Sequence, residues 1–490
     1  MNRRRFLRNS LLTTAAVSLA PAVVRAQSTN AAASLKIAGA NDDIRVAVIG
    51  LNGRGKNHLD GLSTVKGVRV VAICDADTAV MDRTAAYLKE KHNVTAQPYQ
   101  DYRKLLANKD IDAVTLATPN HWHALGGIWA AQAGKDVYVE KPISHNVWEG
   151  RQLVAAARKY NRIVQAGTQT RSSFAIKEAI AWLRAGNLGK IKLARSLCYN
   201  RRDTIGKATE PVKIPDTVDY DLWCGPAPKA TEIWRKKFHY DWHWQWPMGN
   251  GDLGNQGVHQ VDMVRWALGY NEVAPRVFSL GGRVGYDDDG TTPNTMISWL
   301  DYKDVPVIFE VRGLPTKAGD EKMDQYRGLR GVSAVFECEG GFMIFPNYTT
   351  AIACDKDAKE IKKWEGADSH YANFIKAVRS RKVADLNADI MEGYLSAAIS
   401  HQVNISYQLG AKKTPDQVRD AVKNDKSVAE ALGRMEAHLA ANHVDLKNTT
   451  LTLGPVLEMN PKTERFTNNE AANQLLTREY RPGFVVPEQV

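Results

Sequence analysis

The sequence predicts an α/β protein in two parts: a doubly wound parallel sheet, then an α+β domain with a largely antiparallel open sheet. Three observations carry this prediction. Between residues 44 and 166, short apolar runs alternate with helical patterns, the rhythm of parallel strands joined by right-handed crossovers. A glycine-rich turn follows the first of those runs. From about Thr168 the texture changes to alternating strand-like runs with few helices between them.

In chain order, the first 26 residues come before either part. Asn2-Arg3-Arg4-Arg5-Phe6-Leu7-Arg8 resembles a twin-arginine export signal; a modestly apolar stretch runs from Leu11 to Val24, and Val24-Arg25-Ala26 offers a small-residue cleavage site. The expectation is a periplasmic protein exported already folded. Residues 27–43, rich in Ala, Ser and Asn, read as a tether. Of the net charge of +11, five arginines in the first 26 residues supply +5; the remaining +6 is spread out, with no basic block of the kind that grips nucleic acid. No apolar run beyond the first thirty residues is long enough to span a bilayer. The five cysteines show neither CxxC nor metal-ligand spacing and read as buried apolar fillers.

The first domain is expected over 44–167. Ile44–Ile49 is a near-continuous apolar strand, followed by strands at Val68–Cys74, Ala113–Ala117, Asp136–Val139 and Ile163–Ala166. Helical patterns lie between them, from about Lys56 and at Thr78–His92, Tyr102–Ala107, Ala124–Ala133 and Val147–Tyr160. The second domain is expected over 168–410. It opens with a helix at Ile176–Ala185, and strands follow at Lys190–Cys198, Arg276–Gly282, Thr295–Leu300, Val305–Arg312 and Ser333–Cys338. Two amphipathic helices, His370–Arg379 and Met391–Leu409, close it. Residues 411–490 read as a charged extension, helical in its first half, with no recognisable chemistry.

Gly50-Leu51-Asn52-Gly53-Arg54-Gly55 sits between a strand and a helix, the context of a Rossmann dinucleotide turn. Gly50 permits the tight turn, Gly53 and Gly55 allow close backbone approach, and the helix N-terminus attracts the pyrophosphate. Asn52 stands where the pattern has its second glycine, a mild departure because Asn tolerates left-handed backbone. Asp75 ends the next strand, 20 residues after Gly55, where a carboxylate binds the adenosine ribose and disfavours a 2′-phosphate. The cofactor expected is therefore NAD, with NADP the alternative. Thr118-Pro119-Asn120-His121-Trp122-His123 follows the third strand on what reads as a loop; its two histidines at i,i+2 spacing are poor evidence for a metal. Glu140-Lys141-Pro142 closes the fourth strand, where a lysine beside a dinucleotide polarises a hydroxyl or carbonyl undergoing hydride transfer.

The glycine turn, Ala117-Thr118-Pro119-Asn120 with nearby His123, and Glu140-Lys141-Pro142 together resemble the Gfo/Idh/MocA oxidoreductases, over roughly residues 44–410. The resemblance implies that Lys141 assists proton transfer beside nicotinamide and substrate, and that Pro142 follows a cis bond. It also matches Asn255-Gln256-Gly257-Val258-His259-Gln260-Val261-Asp262 to the family's second motif. His259 takes the place of the catalytic histidine and Asp262 that of the later aspartate, while Asn255 replaces the first aspartate. Asparagine binds a sugar hydroxyl but cannot take its proton, so the base role falls on His259 and Lys141; Asp252, one turn earlier, is a candidate substitute.

Six of the twelve tryptophans lie between Trp223 and Trp266. Trp242 and Trp244 are read as sugar-stacking faces, with Arg201, Arg202, His239, His243 and Asn250 as hydroxyl partners; a packed core or subunit contact is the competing reading. The functional expectation is a periplasmic NAD(P)-dependent oxidoreductase acting on a sugar, glycoside or polyol, with tightly bound cofactor. A glycosidase, lyase or epimerase working through a transient keto-sugar is the second expectation, and a non-catalytic sugar sensor the third. By analogy with the family's sheet, a homo-oligomer is expected.

Overall fold

The computed structural model describes residues 43–490, except residues 324, 327, 328 and 331 and the side chains of 325, 329, 330, 332 and 333. The expected signal and all but the last residue of the expected tether lie outside the described residues.

Parallel strands build the first half. Its elements are β1 (Ile44–Ile49), α1 (Arg54–Ser63), β2 (Val68–Cys74), α2 (Thr78–His92), β3 (Gln97–Tyr99), α3 (Tyr102–Leu106), β4 (Ala113–Leu116), α4 (Asn120–Gln132), β5 (Asp136–Val139), α5 (Val147–Lys159) and β6 (Val164–Ala166). They form a six-stranded sheet in the order β3-β2-β1-β4-β5-β6, every pair parallel. The order reverses between β1 and β4, and a crevice opens beyond their carboxyl ends. Covered on both faces, β4 and β5 are buried throughout, which is why these strands read as unbroken apolar runs. Helices α2 and α5 begin on side-chain caps, Asp77 accepting from the Ala79 amide and Asn146 from that of Glu149.

The second half follows as α6 (Phe174–Arg184), β7 (Ile191–Tyr199), α7 (Tyr220–Cys224), a π-helical turn at Leu253–Gly257, α8 (Val258–Leu268), β8 (Arg276–Gly282), β9 (Thr295–Asp301), β10 (Pro306–Arg312), β11 (Gln325–Tyr326), β12 (Leu329–Arg330), β13 (Val332–Cys338), β14 (Gly341–Phe345), β15 (Thr350–Asp355), β16 (Glu360–Glu365), α9 (His370–Ser380), α10 (Ile390–Gln408), β17 (Ala411–Lys413), α11 (Pro415–Val422), α12 (Lys426–Ala441), β18 (Leu451–Leu453), β19 (Leu457–Asn460), β20 (Arg465–Phe466) and α13 (Glu470–Gln474). All but β11 and β12 join one twelve-stranded sheet, along the path β16-β15-β14-β13-β7-β10-β9-β8-β18-β17. Only β10 and β7 run parallel in it.

The predicted fold class is the observed one, with three differences in its parts. Helix α4 starts at Asn120, so His121, Trp122 and His123 are helical rather than in a loop. Helix α9, expected in the second domain, packs on the first: Phe374, Ile375 and Val378 share a core with Ile44, Val46, Val48 and Tyr138. Residues 411–490 are no appendage. Val418, Leu432 and Met435 of α11 and α12 pack on Leu280, Ile297 and Ile308 of the sheet, β17–β19 extend that sheet, and Phe484 returns to Trp122 of the first domain. Among the described residues no helix is long and apolar enough to cross a membrane. All five cysteines are free, and four are buried.

Candidate active site

The glycine turn is shaped by steric necessity. Gly50 has φ +79°, and a Cβ there would stand 2.6 Å from the Ala117 carbonyl carbon and the Thr118 amide. A Cβ on Gly55 would lie 2.0 Å from the Gly50 carbonyl oxygen. Gly53 leads into α1 with φ +43°, and no side chain caps the helix, so its first amides face the crevice without a side-chain partner. Uncapped amides at a helix N-terminus behind a glycine cradle fit a dinucleotide pyrophosphate. Asp75 sits beside the turn, Oδ2 accepting from the Leu51 amide at 3.0 Å and Oδ1 from the Asp77 amide at 3.1 Å. Burial raises its pKa, and those two amides act against the rise.

Across the crevice, Glu140 and Lys141 follow directly on β5. Glu140 is buried and accepts from Arg54 Nε at 2.7 Å, His58 Nε2 at 3.1 Å and Gln169 Nε2 at 3.0 Å. Burial works to raise its pKa, but Arg54 above all, with His58 and Lys141, holds the carboxyl well below the usual carboxylate range. The Lys141–Pro142 peptide is cis. Lys141 Nζ donates to the Asn255 carbonyl at 2.6 Å, so the lysine bridges from the dinucleotide domain to the π-helical turn of the second. Burial lowers its pKa against the opposing pull of Glu140. His123, 2% exposed, has Nδ1 2.6 Å from the Pro142 carbonyl and Nε2 2.7 Å from that of Thr118, locking the two cofactor-side loops together. Asn120 donates to Asn250 Oδ1 at 3.1 Å rather than presenting a free amide to the cleft.

These groups line one cleft of about 310 Å³. Gly50, Asn52, Gly53, Arg54, Asp75, Thr118, Pro119, Asn120, His123, Glu140, Lys141, Trp242, His243 and Asn255, all sequence candidates, lie on its wall; Gly55 is buried beneath the turn. Seven candidates stand off that wall: Arg202, Asn250 and Asp252 lie behind it, and four others are placed as follows. Asp262 is 1% exposed and clamped by Arg171, with three hydrogen bonds of 2.8 to 3.0 Å, and by Ser396 Oγ at 2.8 Å. Burial opposes its ionisation, but Arg171 holds its pKa down, so this aspartate joins helices instead of binding substrate. Arg201 points to the surface and pairs with exposed Asp203. Trp244 is buried, with the Arg202 guanidinium over its ring, and does not reach the cleft. His259 is 3% exposed, packs against Tyr348 with ring centroids 4.6 Å apart, and leaves Nδ1 buried without a partner. Burial, then the Lys141 charge, pushes its pKa down to about 3. It lies behind the wall, one turn beyond Asn255.

Sequence reasoning missed most of what closes the cleft. The segment between β7 and α8 crosses the first domain as a strap, with Asp219 N donating to Ala76 O at 2.8 Å and Thr78 N to Thr217 O at 3.0 Å. Trp122 Nε1 donates to the Leu222 carbonyl at 3.0 Å, and His239 Nε2 meets Asp77 Oδ2 at 2.9 Å. Leu222, Trp223, His239 and Tyr240 thereby become part of the cleft wall. Behind that wall Arg202, unlike surface-facing Arg201, is mostly buried and grips Asp252 with bonds of 2.8 to 3.3 Å. The sequence signals for this segment are its tryptophan-rich composition and the polar side chains of Arg202, His239 and His243.

Fold and site together define an NAD-binding oxidoreductase scaffold. Residues 44–168 match a profile described as oxidoreductase family, NAD-binding Rossmann fold, and residues 175–433 one described as oxidoreductase family, C-terminal alpha/beta domain. The chain belongs to the Gfo/Idh/MocA family. Among curated relatives, a glycosyl hydrolase family 109 protein of Shewanella sp. (strain W3-18-1) is 36% identical over 127 residues, 25% of this chain and 28% of that protein. Glycosyl hydrolase family 109 protein 2 of Shewanella sp. (strain ANA-3) is 34% identical over 172 residues, 33% of this chain and 38% of that protein. The match thus spans well under half the length of these relatives. Among solved structures, the WlbA dehydrogenase from Bordetella pertussis in complex with NADH and UDP-GlcNAcA shares the fold at 19% identity and TM-score 0.53, over 73% of this chain and 94% of that one. An oxidoreductase domain protein from Kribbella flavida does so at 16% identity and TM-score 0.55, over 74% and 96%.

Proposed function

We propose that the protein is an exported NAD-dependent oxidoreductase acting at a hydroxyl-bearing carbon of a carbohydrate, and that it keeps its cofactor between turnovers. The observation that carries this reading is the composition of one wall. The dinucleotide turn, Lys141 and the aromatic strap residues Trp223, Tyr240, Trp242 and His243 border the same cavity. A cofactor in the crevice would lie under the strap, and the strap would have to part before it left. Aromatic faces beside a lysine suit a sugar ring whose C–H face stacks while one hydroxyl meets a cation. The twin-arginine pattern supports export, and a compartment poor in free nicotinamide favours a retained cofactor.

When bound, the cofactor supplies hydride chemistry. The chain's own part is positioning and electrostatics. Lys141 Nζ, held by the Asn255 carbonyl, offers its remaining protons to a carbinol oxygen and stabilises the negative charge that develops there. Asp75 has lone pairs left for a ribose diol and disfavours a 2′-phosphate, which supports NAD over NADP. The test is to denature the purified exported protein and identify released nucleotide by mass. Near-stoichiometric NAD is the expected result; no nucleotide, and no binding of added NAD or NADP, would refute the proposal.

A second reading has its own support in the glycosyl hydrolase family 109 relatives. Oxidation of a ring hydroxyl acidifies the neighbouring C–H and permits elimination of a glycosidic substituent, so the redox step can be transient. Screening aryl glycosides separates the two readings. Aglycone release without net NADH supports glycoside cleavage, and net NADH with a free sugar supports the dehydrogenase.

A further inference from the structure

We infer that the substrate is a glycoside of at least two sugar rings, and that Tyr240 is the stacking platform for the ring next to the one oxidised. This rests on the reading above, redox at a carbinol carbon beside Lys141, and holds whether that step is the net reaction or transient. The first support is exposure. Tyr240 is 46% exposed and borders the cleft; the other large apolar side chains exposed to a similar degree, among the described residues, lie off its wall. Trp223 and Trp242 on the same wall are buried, so the aromatic lining opens to solvent at this one ring. A lone exposed aromatic is ordinary on open surface. What sets this one apart is its direction and its bracing.

Direction is the second support. His239 Nε2 meets Asp77 Oδ2 at 2.9 Å, on the dinucleotide side. The next residue turns the other way: Tyr240 OH accepts from Arg202 Nη1 at 3.4 Å, three residues past the end of β7 in the second domain. Arg202 is in turn fixed by Asp252. The Tyr240 ring also packs on the His243 imidazole, centroids 4.9 Å apart and planes 50° from parallel, and His243 is stacked on Trp242 at 3.7 Å. A ring held at its hydroxyl and along one side gives up little freedom when a ligand covers its open face. That face suits the C–H face of a sugar.

The third support is room. A cleft of about 310 Å³ lies at the small end of the range for a single small-molecule ligand. A dinucleotide at the glycine turn and Asp75 takes up most of it, so only the reacting ring fits beside Lys141. A sugar attached to that ring runs outward along the wall of Trp242 and His243, and the exposed aromatic face on its way is Tyr240.

The experiment pairs substrates that differ in the second ring. Methyl β-glucoside, methyl α-glucoside and methyl β-galactoside are compared with cellobiose, maltose and lactose, using the NAD-loaded protein and following product by mass. At least one disaccharide is expected to exceed its methyl glycoside in kcat/KM by roughly 10- to 100-fold. Y240A is expected to erase most of that preference; Y240F, which keeps the face and loses the hydroxyl, should hold it to within about threefold, and NADH escape from either variant should stay within about threefold of wild type. Y240L, which fills similar space without a flat face, serves where Y240A does not fold. A wild type that prefers no disaccharide overturns the inference without any variant. So does a Y240A that keeps the preference, or one that loses it together with faster NADH escape, which would make Tyr240 a cover for the cofactor. A wild type that carries NAD but turns over none of these sugars overturns the functional reading and this inference with it.

Discussion

At the scale of single residues, Glu140 is the carboxylate on which the cofactor side of the cleft is built. It gathers Arg54, His58 and Gln169 at the end of β5, and it sets the charge environment of Lys141. Glutamine in its place keeps the shape and removes the charge that offsets a buried cation pair. Breaking such a pair costs several kcal/mol when both partners are buried; Arg54 is 39% exposed, so E140Q is expected to lose about 2 kcal/mol at pH 7. The pH dependence follows from the direction of the shift. The folded carboxyl titrates well below the ordinary glutamate value of 4.5, so its contribution is complete above pH 4.5 and is lost as pH falls through the lower folded value. Urea midpoints should therefore differ most between wild type and E140Q above pH 5 and converge in stronger acid. A constant gap down to pH 2 would show that the charge is not the source.

At the scale of elements, legibility in the sequence tracked locality. Strands β1, β2, β4 and β5 could be read directly because parallel strands covered on both faces are continuous apolar runs. The turn from Gly50 to Gly55, with Asp75 and Glu140-Lys141, was legible because each motif lies at one strand end. The start of α4 was not, since Asn120 to Leu125 are all buried and a helix buried all round has no polar stripe to give the period. Strand β16, Glu-Ile-Lys-Lys-Trp-Glu, hid in exposed charge, and β3 is three residues with a proline. Partners far apart in sequence were out of reach: nothing local assigns Asp262 to Arg171, 91 residues away, or Lys141 to the Asn255 carbonyl. Two predictions belong here. G55A would drive a Cβ into the Gly50 carbonyl and distort the mouth of α1; NAD binding by titration calorimetry should fall more than 100-fold while the second domain stays folded. On the sheet's outer face, Arg434 of α12 donates to Glu310 at 2.9 Å and to Tyr199 OH at 3.0 Å. Arg195 and Arg312 remain near Glu310 if Arg434 is removed, and Arg434 is 26% exposed, so R434A should cost about 2 kcal/mol in chemical denaturation rather than the full cost of a lone buried carboxylate. No change would mean that α12 is merely laid on the sheet.

At the scale of the whole molecule, the chain closes on itself twice, and the second closure concerns the cofactor. Helices α11 and α12 cover part of the outer face of the large sheet, the surface from which the family analogy led us to expect an oligomer. The last residues then run back to the strap. Arg481 donates to the carbonyls of Asp221 and Gly225 at 3.0 Å each and pairs with the Asp221 carboxylate. Arg478 reaches Glu149 at 2.9 Å and the carbonyls of His121 and Pro247, and Phe484 meets Trp122 edge-on at 5.7 Å. Because Leu222 and Trp223, within the stretch Arg481 clamps, border the cleft, the tail bears directly on how readily that wall opens. A tail that only fills surface and a tail that latches the strap differ in one measurable respect. If it latches, the double variant R481A/F484A loaded with NADH should keep its melting cooperativity and its equilibrium fold while NADH escapes about tenfold faster, the equivalent of 1.4 kcal/mol lost from the closed state. Loss of nicotinamide fluorescence on dilution into an NADH-oxidising trap measures that rate. An unchanged escape rate would assign retention to the strap's backbone bonds with α2 and to Trp122, and leave the tail a structural role only.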